Sequence, residues 1–218
     1  MSPRNFVGQR GFMKTGCLVA LGVVGLIVLI LAFTLVGRYN TLVAMQEKVA
    51  ASWSEIDNQY KRRFDLVPQL VATVQGAADF EKSTLEAVTE ARASVGRAQL
   101  PPGLPSDPAQ LQAYVQAQQG LGAALGRLFA VVEQYPDIKA NQNFLSLQDQ
   151  LEGTENRIAV ARRDYIDAVR TFNTERRRFP TNLVASVFGF EPAARLQVEG
   201  AERETPKVDF DFGEKKGE

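Results

Sequence analysis

The sequence predicts an all-α protein: an N-terminal transmembrane helix followed by an elongated antiparallel up-and-down bundle of about four long helices. Three observations predict it. One uncharged stretch, Cys17 to Val36, is long enough to cross a bilayer. Beyond it, apolar residues return every three or four positions along most of the chain, which is the period of a helix with one buried face. No run of alternating apolar and polar residues competes as a strand.

The first element, "CLVALGVVGLIVLILAFTLV", is 20 residues without a charge, and at the helical rise it covers about 30 Å, the thickness of a hydrocarbon core. A cleaved signal peptide has a shorter apolar region and a small-x-small cleavage site. Leu35-Val36-Gly37 fits that site poorly, and Cys17 precedes the apolar run rather than ending it as in a lipoprotein. The segment is therefore expected to stay as an anchor. Arg4, Arg10 and Lys14 precede it, whereas Arg38 and Lys48 follow in the comparable window. This balance favours a cytoplasmic N-terminus and an extracytoplasmic body, although counting Lys61, Arg62 and Arg63 removes the bias.

From Tyr39 onward Leu42, Met45, Val49, Trp53, Ile56, Tyr60, Phe64 and Val67 mark one apolar face. Only Gly37 argues for a break, so the membrane helix is expected to run directly into the first bundle helix. Pro68 disfavours helical dihedrals at Val67, and Asp65 is a good N-cap residue. A kink or restart is expected there, with a second helix carrying Leu70, Val71, Val74, Ala78, Leu85, Val88, Ala91 and Val95 to about Ala98 and Gly76 as its weak point. "QLPPGLPSDP" holds four of the ten prolines and reads as a loop. Asp107, Pro108 and Gln110 give a cap, a first-turn proline and a capping-box partner for the third helix. Its stripe is Leu111, Tyr114, Val115, Leu121, Leu125, Leu128, Phe129 and Val132.

The fourth helix, Asn143 to Arg178, has Phe144, Leu147, Leu151, Thr154, Ile158, Ala161, Tyr165, Ala168 and Phe172 at alternating steps of three and four. That is a coiled-coil-like seam on a helix about 54 Å long. "FPTNLVASVFGF" predicts a short helix capped by Thr181 and stopped at Gly189. The organisation is then a short basic segment (1–16), the span (17–36), the bundle (38–190) and a flexible tail (191–218).

Composition narrows the chemistry. Of the 25 basic residues, four lie in the first 38 positions, where there is no acid, so the body carries 21 cations against 25 anions. A mildly acidic body lacks the cationic excess that neutralises phosphates, and no nucleic-acid partner is expected. Histidine is absent, which removes the commonest general base near neutral pH and the commonest nitrogen ligand for transition metals. No catalytic, cofactor-binding or metal site is expected. Cys17, the single cysteine, cannot form an internal disulfide.

The residues singled out are therefore structural or interaction candidates. Trp53 and Tyr165, like Tyr60 and Phe172, fall on apolar stripes as core anchors. Arg63 flanks the seam and is expected to pair with a carboxylate of a neighbouring helix, because arginine suits partly buried ion pairs. Lys61 and Arg62 point elsewhere, since consecutive helical residues diverge by about 100°. Asp65 and Pro68 form the expected corner. Asn156, Arg157 and Arg163, with Glu152, Glu155, Arg162 and Asp164, form a polar helix face, and Arg163 has ion-pair spacing to Asp167. "PKVDFDF" at 206–212 is a short apolar-acidic string of the kind that docks into a partner's groove, in a tail otherwise read as inert.

The strings "RYNTLV" at 38–43, "VAASWSEIDNQYKRRFDLVPQLVATVQG" at 49–76, "EARA" at 90–93 and "YPDIKANQNFLSLQDQLEGTENRIAVARRDYIDAVRTFN" at 135–173 resemble the LemA family, as do "FPTNLVASVFGF" and "PKVDF". The resemblance implies an N-terminal membrane anchor, a helical body and no established enzymatic activity. It also implies a short N-terminus outside the cell, opposite to the charge balance. Phe64 stands where typical relatives have a small residue, Gln69 where they often have asparagine, and the helix after the proline loop diverges most.

The expected function is a membrane-anchored, non-enzymatic scaffold or adaptor of the bacterial envelope. It would contact lipid through 17–36 and unidentified protein partners, or a second copy of itself, through the bundle. The alternatives are a ligand-binding or carboxylate-based enzymatic bundle and a membrane-remodelling protein.

Overall fold

The computed structural model describes residues 9–76, 80–101, 103–105 and 107–196. They form six helices: α1 (Gln9–Gln75), α2 (Lys82–Arg97), α3 (Pro108–Val132), α4 (Pro136–Lys139), α5 (Gln142–Arg177) and α6 (Thr181–Val187). Among the described residues there is no strand.

The expected continuity from span to bundle is present: α1 is a single helix of 67 residues, about 100 Å long. Val19 and Leu21 through Val36 on it are exposed, whereas Leu42, Val49, Trp53, Ile56 and Tyr60 are buried. One helix therefore carries an unpartnered apolar collar and then a half-buried stripe.

The expected corner at Asp65 and Pro68 is corrected. α1 runs through Pro68, and Asp65 is an exposed interior residue rather than a cap. Proline has no N–H for the Phe64 carbonyl four residues earlier. Arg92 Nε from α2 donates to that carbonyl at 3.2 Å and its guanidinium carbon lies 3.8 Å from the Phe64 ring centre. The orphaned acceptor is thus satisfied from outside the helix, and the chain turns at Gly76 instead. The second helix is accordingly short, with 16 residues, and Ala78 of its expected stripe lies outside the described residues.

Contacts fix the topology. Arg38 meets Glu175, Tyr60 meets Arg162 and Arg63 meets Glu155, so α5 descends beside the rising α1. Tyr114 bonds Asp57 and Gln118 bonds Arg63, so α3 rises parallel to α1. The arrangement is up, down, up, down. It has two tiers: far from the collar α1, α2, α3 and α5 surround the core, while nearer the collar α6 packs against α1 and α5.

The helix ends follow local chemistry. Asp107 accepts from Ala109 N at 2.8 Å with Pro108 opening α3. Asn141 caps α5, accepting from Asn143 N and Phe144 N at 2.9 and 3.3 Å, which places the start one residue before the predicted position. Thr181 does not cap α6, because it is the first helical residue and gives its hydroxyl to Glu175 at 3.1 Å. α6 does stop at Gly189, whose φ of +71° lets Phe190 N reach Ala185 O at 2.9 Å.

Residues 191–196 differ from the flexible tail expected from Glu191 onward. Ala193 and Ala194 are buried, Asn173 exchanges two 3.0 Å hydrogen bonds with Ala193, and Tyr165 Oη donates to Ala194 O at 2.8 Å. "PKVDFDF" lies outside the described residues.

Candidate functional site

The polar heart of the bundle is built on α1, α3 and α5. Arg63 is 2% exposed, among the most buried large side chains. Its Nη1 donates to Glu155 Oε2 at 2.6 Å, and Nη2 donates to both the main-chain oxygen and Oε1 of Gln118 at 2.7 Å. The planar guanidinium suits this fork of acceptors. Gly122 makes room for it, since a Cβ there would lie 3.3 Å from Nη1.

The network continues toward solvent. Gln118 Nε2 donates to Tyr114 Oη at 3.1 Å, Tyr114 Oη donates to Asp57 Oδ1 at 3.4 Å, and Lys61 pairs with Asp57 at 2.7 Å. Arg162 Nε donates to Tyr60 Oη at 2.8 Å. The guanidinium carbons of Arg63 and Arg162 lie 5.4 and 5.6 Å from the centre of the Tyr60 ring. Aromatic rings fill the layer beside them: Trp53 meets Tyr165 and Tyr114 edge-on at 5.6 and 6.3 Å, and Tyr60 meets Tyr114 at 5.6 Å.

Two concavities border this network. A cleft of about 480 Å³ lies where the proline-rich loop crosses α1 and α3, lined in part by Asp57, Asn58, Lys61, Leu100 and Tyr114. A second, of about 300 Å³, is lined by Arg63, Gly122, Leu125, Phe129, Glu152 and Glu155. Burial pushes the phenols of Tyr114 and Tyr165 up to about 12, and burial likewise raises Tyr60 against the opposing pull of Arg162 and Arg63. At neutral pH these phenols stay protonated and are not bases; Tyr114 and Tyr165 donate, to Asp57 and to Ala194 O, while Tyr60 accepts from Arg162. Among the described residues no three cysteine or carboxylate side chains gather in a metal-ligating group.

The singled-out residues divide cleanly. Trp53 and Tyr165 meet in the core and Arg63 is buried further along α1, whereas Asn156, Arg157 and Arg163 are exposed on α5, and Asp65 and Pro68 lie on the solvent side of α1. Asp167 pairs with Arg170 at 3.0 Å, not with Arg163. Gln118 and Arg92 were not among the expected residues. Gln118 had a signal: it falls on the buried register of α3 between Val115 and Leu121. Arg92 had none, since the carbonyl it satisfies belongs to a distant stretch of chain.

The LemA family model matches residues 52–210. Magnetosome proteins MamQ 1 and MamQ 2 of Paramagnetospirillum magneticum are each 33% identical over 180 residues, covering 75% of this chain and 66% of theirs. Protein LemA of Metamycoplasma hominis is 29% identical over 182 residues, covering 84% of this chain and 77% of its own. The chain spans just under two thirds of the length of the MamQ relatives, and none of these names is that of an enzyme. With the family match reaching over more than half of its residues, from the Trp53 layer through the Arg63 network to the segment beyond α6, this chain belongs to the LemA family.

Proposed function

We propose that this is a single-pass membrane protein in which residues 17–36 cross the bilayer and the bundle serves as a non-enzymatic scaffold or adaptor of the bacterial envelope. The observation that carries the reading is the unbroken α1, in which an exposed apolar collar passes into the bundle without a hinge. Such a helix holds the bundle at a fixed stand-off from the membrane, where its faces can gather other proteins or a second copy. The buried polar groups support the same reading, because Arg63, Gln118, Tyr114 and Tyr60 are spent on joining helices. Relatives named as magnetosome proteins support a place at a membrane. The cation balance around the span favours an extracytoplasmic bundle, which protease accessibility in intact and permeabilised cells would test.

Photo-crosslinkers placed on exposed α5 positions such as Asn156 and Arg163, in intact membranes, are expected to capture a reproducible partner set or the protein itself. Recovery of only abundant, nonspecific neighbours would count against the scaffold. The 480 Å³ cleft beside Asp57 and Lys61 favours a second reading as a small-ligand module. A thermal-shift screen against metabolites separates the two, since a specific ligand raises the melting temperature by mass action and a scaffold has no such response.

A further inference from the structure

The collar-proximal end of the bundle exposes apolar side chains that no described element covers. Phe179 is 80% exposed, Leu183 52%, Val187 79% and Phe188 60%. Leu183 and Val187 are one turn apart on α6 and share a stripe, and Phe179 lies two residues before that helix. The patch is tied to the start of the bundle: Phe188 and Phe190 lie 4.9 and 5.6 Å from the Tyr39 ring, and Thr181 bonds the Glu175 that pairs with Arg38 at 3.3 Å. Tyr39 is only three residues past Val36, a rise of about 5 Å. A span ending at Val36 therefore brings this patch to the level of the lipid headgroups.

Charge at the same corner points to the same occupant. Arg176, Arg177 and Arg178 are consecutive, with Glu175 and Glu191 as the nearby acids along the chain. A cleft of about 470 Å³ between α5 and the end of α6 is lined in part by Arg176, Arg177, Asn182, Ser186, Phe190 and the carboxylate-bearing Glu191. Arg176 gives one guanidinium nitrogen to Phe190 O at 3.1 Å, while its buried Nε has no partner. The planar guanidinium fork matches the oxygens of a phosphate.

We propose that this face is a second membrane contact. Phe179, Leu183, Val187 and Phe188 enter the interfacial zone beside the span, as aromatic and aliphatic anchors do, and Arg176 and Arg177 hold the phosphates of anionic phospholipids. Two contacts on different elements fix the tilt and rotation of the bundle as one anchor alone does not. The proposal rests on residues 17–36 spanning the bilayer.

The test uses the full chain, with Cys17→Ser, in vesicles of phosphatidylcholine with or without phosphatidylglycerol. It carries one bimane at a time on Phe33→Cys, Val187→Cys or Val160→Cys, and lipids spin-labelled in the headgroup or deep in the acyl chain act as quenchers. The Phe33 probe is expected to lose emission to the deep label, the Val187 probe to the headgroup label, and the Val160 probe, exposed on α5, to neither. Arg177→Gln, or Arg176→Gln with Arg177→Gln, is expected to relieve Val187 quenching only where phosphatidylglycerol is present. An unquenched Val187 probe beside a quenched Phe33 probe overturns the second contact, as does a blue-shifted Val187 probe that lipid quenchers cannot reach, which signals a protein cover. Quenching that is indifferent to phosphatidylglycerol and to both arginine variants overturns the phosphate assignment. An unquenched Phe33 probe instead overturns the spanning reading itself.

Discussion

Arg63 joins α1 to α3 and α5 through one guanidinium, yet its carboxylate partner Glu155 is exposed. The two ends of this ion pair should therefore respond unequally to substitution. Arg63→Ala leaves Gln118 without its donor and opens space in a packed layer, and is expected to lower unfolding stability by about 3 kcal/mol. Glu155→Gln keeps an oxygen that Nη1 can still reach but leaves the buried guanidinium without its counterion, and is expected to cost less, about 1 to 2 kcal/mol. Denaturant unfolding followed by circular dichroism checks both. The tyrosines set a pH limit: with folded values about 12 for Tyr114 and Tyr165 against an ordinary 10.0, the unfolded chain loses these protons first as pH rises. Their contribution is fully present below pH 10.0 and is lost between there and about 12, so the melting temperature should fall across that window. Replacing Tyr165 with Phe, which removes the titrating group, should flatten the fall. At this scale the sequence showed that Arg63 needed a carboxylate but not which one, since Glu152 and Glu155 were equally available on the polar face of α5. Tyr114 and Gln118 looked like core filler and a gap in the stripe, because a hydrogen-bond chain leaves no trace in hydrophobic periodicity.

α1 shows why an element boundary can be misread. Asp-x-x-Pro is the same string whether a helix begins there or passes through, and what decides is whether the freed carbonyl finds another donor. Here the donor, Arg92, lies 28 positions from Phe64 in sequence. Arg92→Ala is expected to destabilise by about 1 to 2 kcal/mol, through the lost donor and the lost stacking on Phe64. Pro68→Ala restores an amide to that carbonyl and is expected to stabilise by about 1 kcal/mol. The two should be non-additive: in the Pro68→Ala background Arg92→Ala should cost less, and a double-mutant cycle measures the difference. Additive effects would mean that Arg92 serves only the Phe64 ring. The start of α3 and the course of α5 were legible, because Asp107-Pro108 and the three-four seam act within a few residues. The short α2 was not, since its stripe continues across Gly76 as though the backbone did too.

Across the whole molecule, the passage from span to bundle was legible as the absence of breakers between Val36 and Leu42. The docking of α6 against Tyr39 and the return of residues 193 and 194 to α5 were not, because both depend on contacts between distant parts of the chain. Continuity at Gly37 has a measurable effect. Gly37→Pro removes an amide just past the exposed collar. It is expected to leave the bundle's melting transition nearly unchanged while broadening, within the limit set by the proposed α6 membrane contact, the distribution of distances between a spin label on α5 and the bilayer; an unchanged distribution would mean that this second contact alone holds the stand-off. The length of α1 has a further mechanical consequence. About 39 residues lie between Val36 and Gln75, a reach of about 60 Å. On the proposed spanning arrangement, an inclination of about 10° at the collar displaces the distal tip sideways by about 10 Å, so a small thickness or curvature change in the lipid would become a large, directional stroke at the far end, as in the arm of a gauge.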